Sequence, residues 1–373
     1  MRRDSTTKNP PKPVTSCDCC ADPWWPQGSD DLPPLIRPVP RRRFLARAAG
    51  LGLSALGLSW LRVPARAQGR RSVKLAFCSQ LLCVIPYEVA RYQGYFREAG
   101  LDVELVYVRG GTAAMQALIG GAVDYAATAF DVALTAYARG ARIARFFTTG
   151  RLPLFALAVA PKAAGEVQSL TALRGRTVGV SALGNADHVL LVYLLKRAGV
   201  NPETVHYAVL GPNMFEALRF GHVDAGMVQE PGSTLVEQAG GRVLVNLMDL
   251  KQSQHYLGGP YEFMGVAVRR DEWDDRLQEM RALSRGLTRG LHFIHYGTTR
   301  LIIDALPREL IAGGDRALLE QVLARNRQSL YPEDGRIHQD AITRVVEVER
   351  QGGVLTQTID VSRLVSNAVV DSL

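Results

Sequence analysis

The stretch Ala117-Leu118-Ile119-Gly120-Gly121-Ala122-Val123-Asp124 returns a hundred residues later as Ala217-Leu218-Arg219-Phe220-Gly221-His222-Val223-Asp224. One shared Ala-Leu-x-x-Gly-x-Val-Asp string is weak, but the surroundings match in order. Ahead of the first copy stand an apolar run (Val73 to Phe77), a helix-like stretch through Ile85, Val89, Tyr92 and Phe96 closing at Ala99-Gly100, a second run (Val103 to Val108) and Gly110-Gly111-Thr112. Ahead of the second stand Thr177 to Val180, a stripe of Leu190, Leu191, Leu194, Leu195 and Ala198 closing at Gly199, Val205 to Leu210, and Gly211-Pro212-Asn213. Both helices end on basic residues followed by Gly, which suits the negative helix terminus and the left-handed residue beyond it. The β-branched runs predict strands buried on both faces. A repeated β-α-β-α order predicts two α/β units, each a parallel sheet with helices on both faces, and a ligand can lie between two such units.

The net charge of +8 could suggest nucleic acid, but its distribution excludes that reading. Residues 1–67 hold 11 of the 44 basic residues and 5 of the 36 acidic ones, so the body of the chain is almost neutral. The basic start reads as an export signal. Arg41-Arg42-Arg43-Phe44-Leu45 precedes an Ala-, Gly- and Leu-rich stretch from Ala46 to Trp60, and Ala65-Arg66-Ala67 offers small residues for cleavage near Ala67. Twin arginines with Phe-Leu resemble the signal of the twin-arginine route, and the apolar stretch is short of the ~20 residues of a spanning helix. Residues 1–40, with Cys17-Asp18-Cys19-Cys20 and Trp24-Trp25, show no periodicity and read as a disordered extension or a start assigned too early. Only Cys78 and Cys83 lie beyond the signal; they could pair in a periplasm, but the reading favoured is one buried thiol at a strand end and one in a loop.

Two more apolar runs, Leu154 to Ala160 and Phe263 to Val268, read as outbound and return crossings between lobes. The expected division is therefore 41–67 signal peptide, 68–160 first part of lobe 1, 161–257 lobe 2, and 258–373 return and helical completion of lobe 1. Stripes from Trp273 to Leu291, from Leu318 to Leu323 and at Ile342, Val345 and Val346 predict helices in that completion, with Asp360 capping a last amphipathic piece, Val361 to Leu373.

The phrases Gln93-Gly94-Tyr95-Phe96-Arg97-Glu98-Ala99-Gly100-Leu101, Leu170-x-x-Leu173-Arg174-Gly175-Arg176-x-Val178-Gly179-Val180 and Val223-Asp224-x-x-x-Val228-x-Glu230-Pro231 resemble the NMT1/THI5-like group of extracytoplasmic solute-binding proteins. That group serves ABC importers for nitrate, taurine, alkanesulfonates and thiamine pyrimidine precursors. The resemblance spans about residues 72 to 300 and implies a type II periplasmic-binding-protein fold: α/β, each lobe a mixed sheet flanked by helices, with a two-strand hinge. It further implies a small-molecule ligand, an inner-membrane ABC permease with its cytoplasmic ATPase, no cofactor and no metal. With the export signal, it implies a periplasmic monomer that meets the twin-arginine translocase on the way out.

In open parallel sheets ligands bind beyond the carboxyl ends of strands. The candidates there are Ser79 and Gln80 after the first strand, Gly110, Gly111 and Thr112 after the second, and Thr128 and Phe130 after the third. Lobe 2 offers Ser181, Asn185, Asp187, His188 and Glu230. Gly110-Gly111-Thr112 is a cradle of free N–H groups for an anion or simply a tight turn. Thr128 and Asp131 also fit a capping box; Phe130 stacks on a ligand or covers the hinge. Asp187 reads as a helix-start acid, but if it and Glu230 face the cleft the ligand carries a donor or positive group, as a zwitterion or aminopyrimidine does.

No Gly-x-Ser-x-Gly elbow, phosphate loop or His-Glu-x-x-His helix is present. The alternative from another class is an enzyme on the same fold, the yeast-type pyrimidine synthase of thiamine biosynthesis. That group uses a Cys-rich motif, which the segment after the signal lacks. A binding module linked to a sensor is a third reading.

Overall fold

The computed structural model describes residues 70–78, 81–108, 110–311 and 315–373. The expectations for residues 1–67 and the candidates Ser79 and Gln80 lie outside the described residues. Lobe 1 opens with β1 (Arg71–Cys78), α1 (Leu81–Tyr92), α2 (Tyr95–Glu98), β2 (Leu101–Val108), α3 (Gly110–Ile119), β3 (Tyr125–Ala129), α4 (Phe130–Ala138) and β4 (Ile143–Gly150). Lobe 2 follows with β5 (Ala156–Val159), β6 (Thr177–Val180), α5 (Ala186–Arg197), β7 (His206–Val209), α6 (Met214–Arg219), β8 (Ala225–Val228), α7 (Gly232–Gln238), β9 (Arg242–Asn246) and α8 (Leu250–Leu257). The chain returns through β10 (Met264–Arg269) and ends in α9 (Leu277–Tyr296), α10 (Thr299–Asp304), α11 (Arg308–Ile311), α12 (Arg316–Leu330) and α13 (Gln339–Gln351).

The two sheets have one plan, β2-β1-β3-β10-β4 and β7-β6-β8-β5-β9. Three strands of each run parallel, and the fourth, β10 or β5, runs against both its neighbours. That fourth strand is in each case the first one made after the chain crosses over, so each sheet is mixed rather than wholly parallel. β5 therefore belongs to the second sheet, and the expected division after residue 160 falls beyond one of that sheet's own strands. The runs read as crossings are strands inside the sheets; the crossings are the segments beside them. They bond to each other: Tyr261 N–H donates to Arg151 C=O (2.9 Å) and Phe263 N–H to Gly150 C=O (3.2 Å).

The repeated motif performs one job twice. Gly121 (φ 75°) and Gly221 (φ 68°) end α3 and α6 in the left-handed region. Their N–H groups donate to Leu118 C=O (3.1 Å) and Leu218 C=O (3.0 Å), while Ala122 and His222 donate to Ala117 and Ala217 C=O. This double bond pattern satisfies the orphan carbonyls of the last turn. Each repeated Asp then spans two strands. Asp124 N–H donates to Lys74 C=O (3.0 Å) and its carboxylate accepts Lys74 N–H (2.7 Å); Asp224 does the same with Thr177, at 2.9 Å in both directions. An arginine sits on each carboxylate, Arg276 at 2.6 Å and Arg176 at 3.4 Å.

Several local expectations change. β2 and β7 are sheet edges and alternate or stay part-exposed, because a 2-1-3 order covers β1 and β6 instead. The first helix breaks at Gly94 (φ 78°) into α1 and α2, which leaves Tyr92 more than half exposed. Cys83 is buried in α1 rather than in a loop. Asp360 caps only a 3₁₀ turn, Val361–Arg363, accepting Ser362 N–H. The tail reaches lobe 1 by a bridge of Val365 to Arg145, but the helices before it touch lobe 2 as well. α13 packs on α5 and α4, Lys196 of α5 donates to Gln351 C=O (2.6 Å), and Arg325 of α12 pairs with Glu237 of α7 (2.7 Å). Among the described residues no helix is long and apolar enough to cross a membrane.

Candidate functional site

The carboxyl ends of β2 and β3 deliver the starts of α3 and α4; those of β6 and β8 deliver the loops that open α5 and α7. α4 and α5 begin within electrostatic reach of each other, since the Asp187 charge helps to raise the pKa of Asp131. α13 lies against both helices. The candidate site is the region where these helix starts approach one another.

On the lobe 1 side, α3 starts at Gly110, so the three residues Gly110, Gly111 and Thr112 do form a helix start. Gly111 packs on lobe 1 itself: a Cβ there would meet Val132 Cγ2 at 3.3 Å and Thr128 Cβ at 3.6 Å. Thr128 and Asp131 form no capping box. α4 is capped at Ala129 without a side-chain bond, and the buried Thr128 hydroxyl has no partner. Phe130 is fully buried, with the Arg145 guanidinium 5.2 Å from its ring centre. Arg145 in turn anchors this strand end. It donates to Thr128 C=O (3.1 Å) and Phe263 C=O (3.2 Å) and pairs with Glu262 (3.1 Å), which also accepts the Thr148 hydroxyl (2.6 Å). Burial pushes the Glu262 carboxyl up to about 7, against the opposing pull of Arg145 and Thr148.

On the lobe 2 side, the loop opening α5 is tied to itself. Asp187 accepts Ser181 N–H (2.5 Å) and the Ser181 hydroxyl (2.7 Å). Asn185 donates to the Ser181 hydroxyl (3.0 Å), and Gly184 N–H to His188 Nδ1 (3.1 Å). Burial raises the Asp187 pKa, with the Ser181 bonds pulling the other way; burial lowers that of His188. Glu230 is buried at the end of β8, accepting Thr234 N–H (3.1 Å), the Thr234 hydroxyl (3.0 Å) and, at 3.4 Å, Asn326 of α12. Asp187 and Glu230 are therefore buried acids with their acceptor capacity largely used.

Three residues outside the sequence-based candidates join the site: Asp131, Tyr261 and Glu349. Asp131 is part-exposed along its length, yet its Oδ1 is shut off from solvent without a partner. Glu349 is 3% exposed on α13, and Tyr261 is 2% exposed in the returning crossing. Burial followed by the field of Asp131 pushes Glu349 up to about 8, while burial, partly offset by backbone N–H groups, pushes Asp131 up to about 6. Tyr261 is raised by burial and by both acids. A signal for Glu349 was present in the sequence: it follows Ile342, Val345 and Val348 at helical spacing, a charge on an otherwise apolar face. A separate depression by Ser169, Ala198, Leu244 and Tyr256 lies at the far end of α5 and has no part in this arrangement.

Two lobes, each a mixed sheet with its helix starts turned toward the other and joined by two crossing segments, define a periplasmic-binding-protein fold. The NMT1/THI5-like family model matches residues 83–296, and the chain belongs to that family. It is similar in structure to a protein of Bordetella bronchiseptica RB50 (TM-score 0.69, 23% identity, 82% of this chain and 97% of that one). It is also similar to the periplasmic aliphatic sulphonate binding protein SsuA of Escherichia coli (TM-score 0.62, 17% identity, 79% and 91%). Among curated proteins it matches the 4-amino-5-hydroxymethyl-2-methylpyrimidine phosphate synthase THI13 of Saccharomyces cerevisiae at 27% identity over 143 residues. That match spans 38% of this chain and about two fifths (41%) of the yeast enzyme.

Proposed function

We propose that the chain is the extracytoplasmic solute-binding subunit of an ABC importer. It takes a small organic anion or zwitterion between its lobes and delivers it to a membrane permease driven by a cytoplasmic ATPase. The observation that carries this reading is the approach of the α4 and α5 starts, with α13 packed on both and Asp187 adding to the field on Asp131, across two bonded crossings. Lobes that turn about two short segments can close on a solute and reopen. The Gly110-Gly111-Thr112 helix start is the subsite for an acidic end, and the loop Ser181, Asn185, Asp187 and His188 is the facing wall. Export as a monomer by the twin-arginine route, with cleavage near Ala67, belongs to the same reading. The test is to denature the purified protein and identify the released small molecule by mass spectrometry. That molecule should then bind stoichiometrically, be recovered unchanged, and have its cellular uptake abolished when the chain is deleted.

A second reading is favoured by the match to the yeast synthase: a pyrimidine-forming enzyme on this fold. Conversion of the bound molecule, rather than its recovery intact, would establish that reading instead.

A further inference from the structure

Resting on the solute-binding reading, we propose that α13 forms a third wall of the chamber and that Glu349 and Asp131, under Tyr261, receive an N–H-bearing end of the solute. The group is an ammonium, an amidinium or an amino-substituted heterocycle. Three polar side chains belong to this corner, where α13 packs on α4 and α5 and where Asp131 acts on Glu349 and both acids on Tyr261. Asp131 Oδ1 is shut off from solvent without a partner, and the carboxylate of Glu349, a residue 3% exposed, makes no side-chain hydrogen bond or ion pair among the described residues. Tyr261, 2% exposed and no acid at neutral pH, lies in the field of both acids. Buried polar atoms in native proteins are paired in the great majority of cases, so the orphaned Asp131 oxygen, beside a second buried acid from another element, marks a place that something else completes.

The sign of that missing group follows from the charges around it. Asp131 comes from α4, Glu349 from α13, and Asp187 adds a third acid from α5. The cation in range, Arg145 on β4, spends both terminal nitrogens on Glu262 and two carbonyls, and its buried Nε alone lacks a partner. Tyr193 of α5 and Tyr261 contribute no positive charge. An anion pressed into this corner would oppose ionisation of both acids and find the Arg145 charge already paired with Glu262, whereas N–H donors satisfy the orphaned Asp131 oxygen directly. The acidic end of a zwitterion then falls to the helix start at Gly110.

The test uses the full chain, freed of bound solute by dialysis from denaturant and refolding, in thermal-shift and calorimetric titrations. The probes are agmatine for a guanidinium, 4-amino-2-methylpyrimidine for an amino-heterocycle, taurine for an ammonium zwitterion, and methanesulfonate and nitrate as anions without N–H donors. At least one N–H probe should bind. Glu349→Gln and Asp131→Asn, which keep shape and fold, should each weaken it tenfold or more, about 1.4 kcal/mol, and leave methanesulfonate unchanged. Binding of the anions alone overturns the proposal and leaves the solute-binding reading standing; binding of no probe overturns the proposal, and finding no released solute as well removes the solute-binding reading. Raised stability in Glu349→Gln with unaltered probe affinity also overturns it, because the two acids would then be only a proton-sharing clasp between lobes.

Discussion

Asp187 shows how much one buried carboxylate can organise. It sits in the first turn of α5, where a negative charge suits the helix dipole, and it also receives both donors of Ser181. Asp187→Ala strands a backbone N–H and a hydroxyl, so chemical denaturation should show a loss of about 1–3 kcal/mol. Solute affinity should fall through a loosened loop, whichever solute is used. Arg145 makes the complementary case. Arg145→Met leaves Glu262 buried without its partner, a change worth about 3–5 kcal/mol in such pairs. Because Glu262 titrates at about 7, it can escape by taking a proton at low pH. The destabilisation measured at pH 8 should therefore exceed that at pH 5, and the double change Arg145→Met/Glu262→Leu should recover much of it. Gly265 belongs to the same pocket: a Cβ there would run into the Arg145 guanidinium and Phe147 C=O, so Gly265→Ala should damage the pair from the other side.

At the scale of elements, the repeat carries the clearest expectation. Gly121 has nothing within 4 Å of an added Cβ, so Gly121→Ala isolates the backbone term. The left-handed conformation at φ 75° should make it about 1–2 kcal/mol less stable, and Gly121→Asn less so. The repeat was legible because its strands, caps and closing Val-Asp are local chemistry, and local chemistry is written in consecutive residues. β4 was not legible. Its run Ile143-Ala144-Arg145-Phe146-Phe147-Thr148-Thr149-Gly150 is wholly buried, but Arg145 breaks the apolar pattern, and its partner Glu262 is more than a hundred residues away. β9 escaped for a related reason, being part-exposed at the edge of its sheet. In the site, the helix starts at Gly110 and Asp187 could be read from motif and position. Asp131, Tyr261 and Glu349 come together only through the packing of α13 on α4 and α5, which no spacing in the chain records. Gly352 tests that packing: any Cβ there meets Val189 of α5, so Gly352→Val should lift α13 and speed hydrogen exchange in both helices.

For the whole molecule, the buried acids between the lobes tie stability and binding to pH in opposite senses. Asp131 and Glu349 have folded pKa values of about 6 and about 8, both above their unfolded values. The solute-free native state therefore holds protons that the unfolded chain has released. Their contribution is fully present below the unfolded carboxyl range and is lost as pH rises through 6 and then 8, by at most about 1.4 kcal/mol per pH unit for each proton. Glu262 on the returning crossing adds to the same slope, while His188 on α5, with its lowered pKa, opposes it near pH 6. Arg145 of β4 favours ionised Asp131; Asp187 of α5 disfavours it. The melting temperature of the solute-free protein should thus fall from pH 5 to pH 8.5, and Glu349→Gln should flatten the upper part of that fall. An N–H cation needs the same two acids ionised, so its affinity should climb over the range in which the empty protein weakens. A calorimetric pH series should show protons released on binding near pH 7, and Glu349→Gln should release fewer. An affinity that falls with pH alongside stability would mean that the solute does not touch these acids at all.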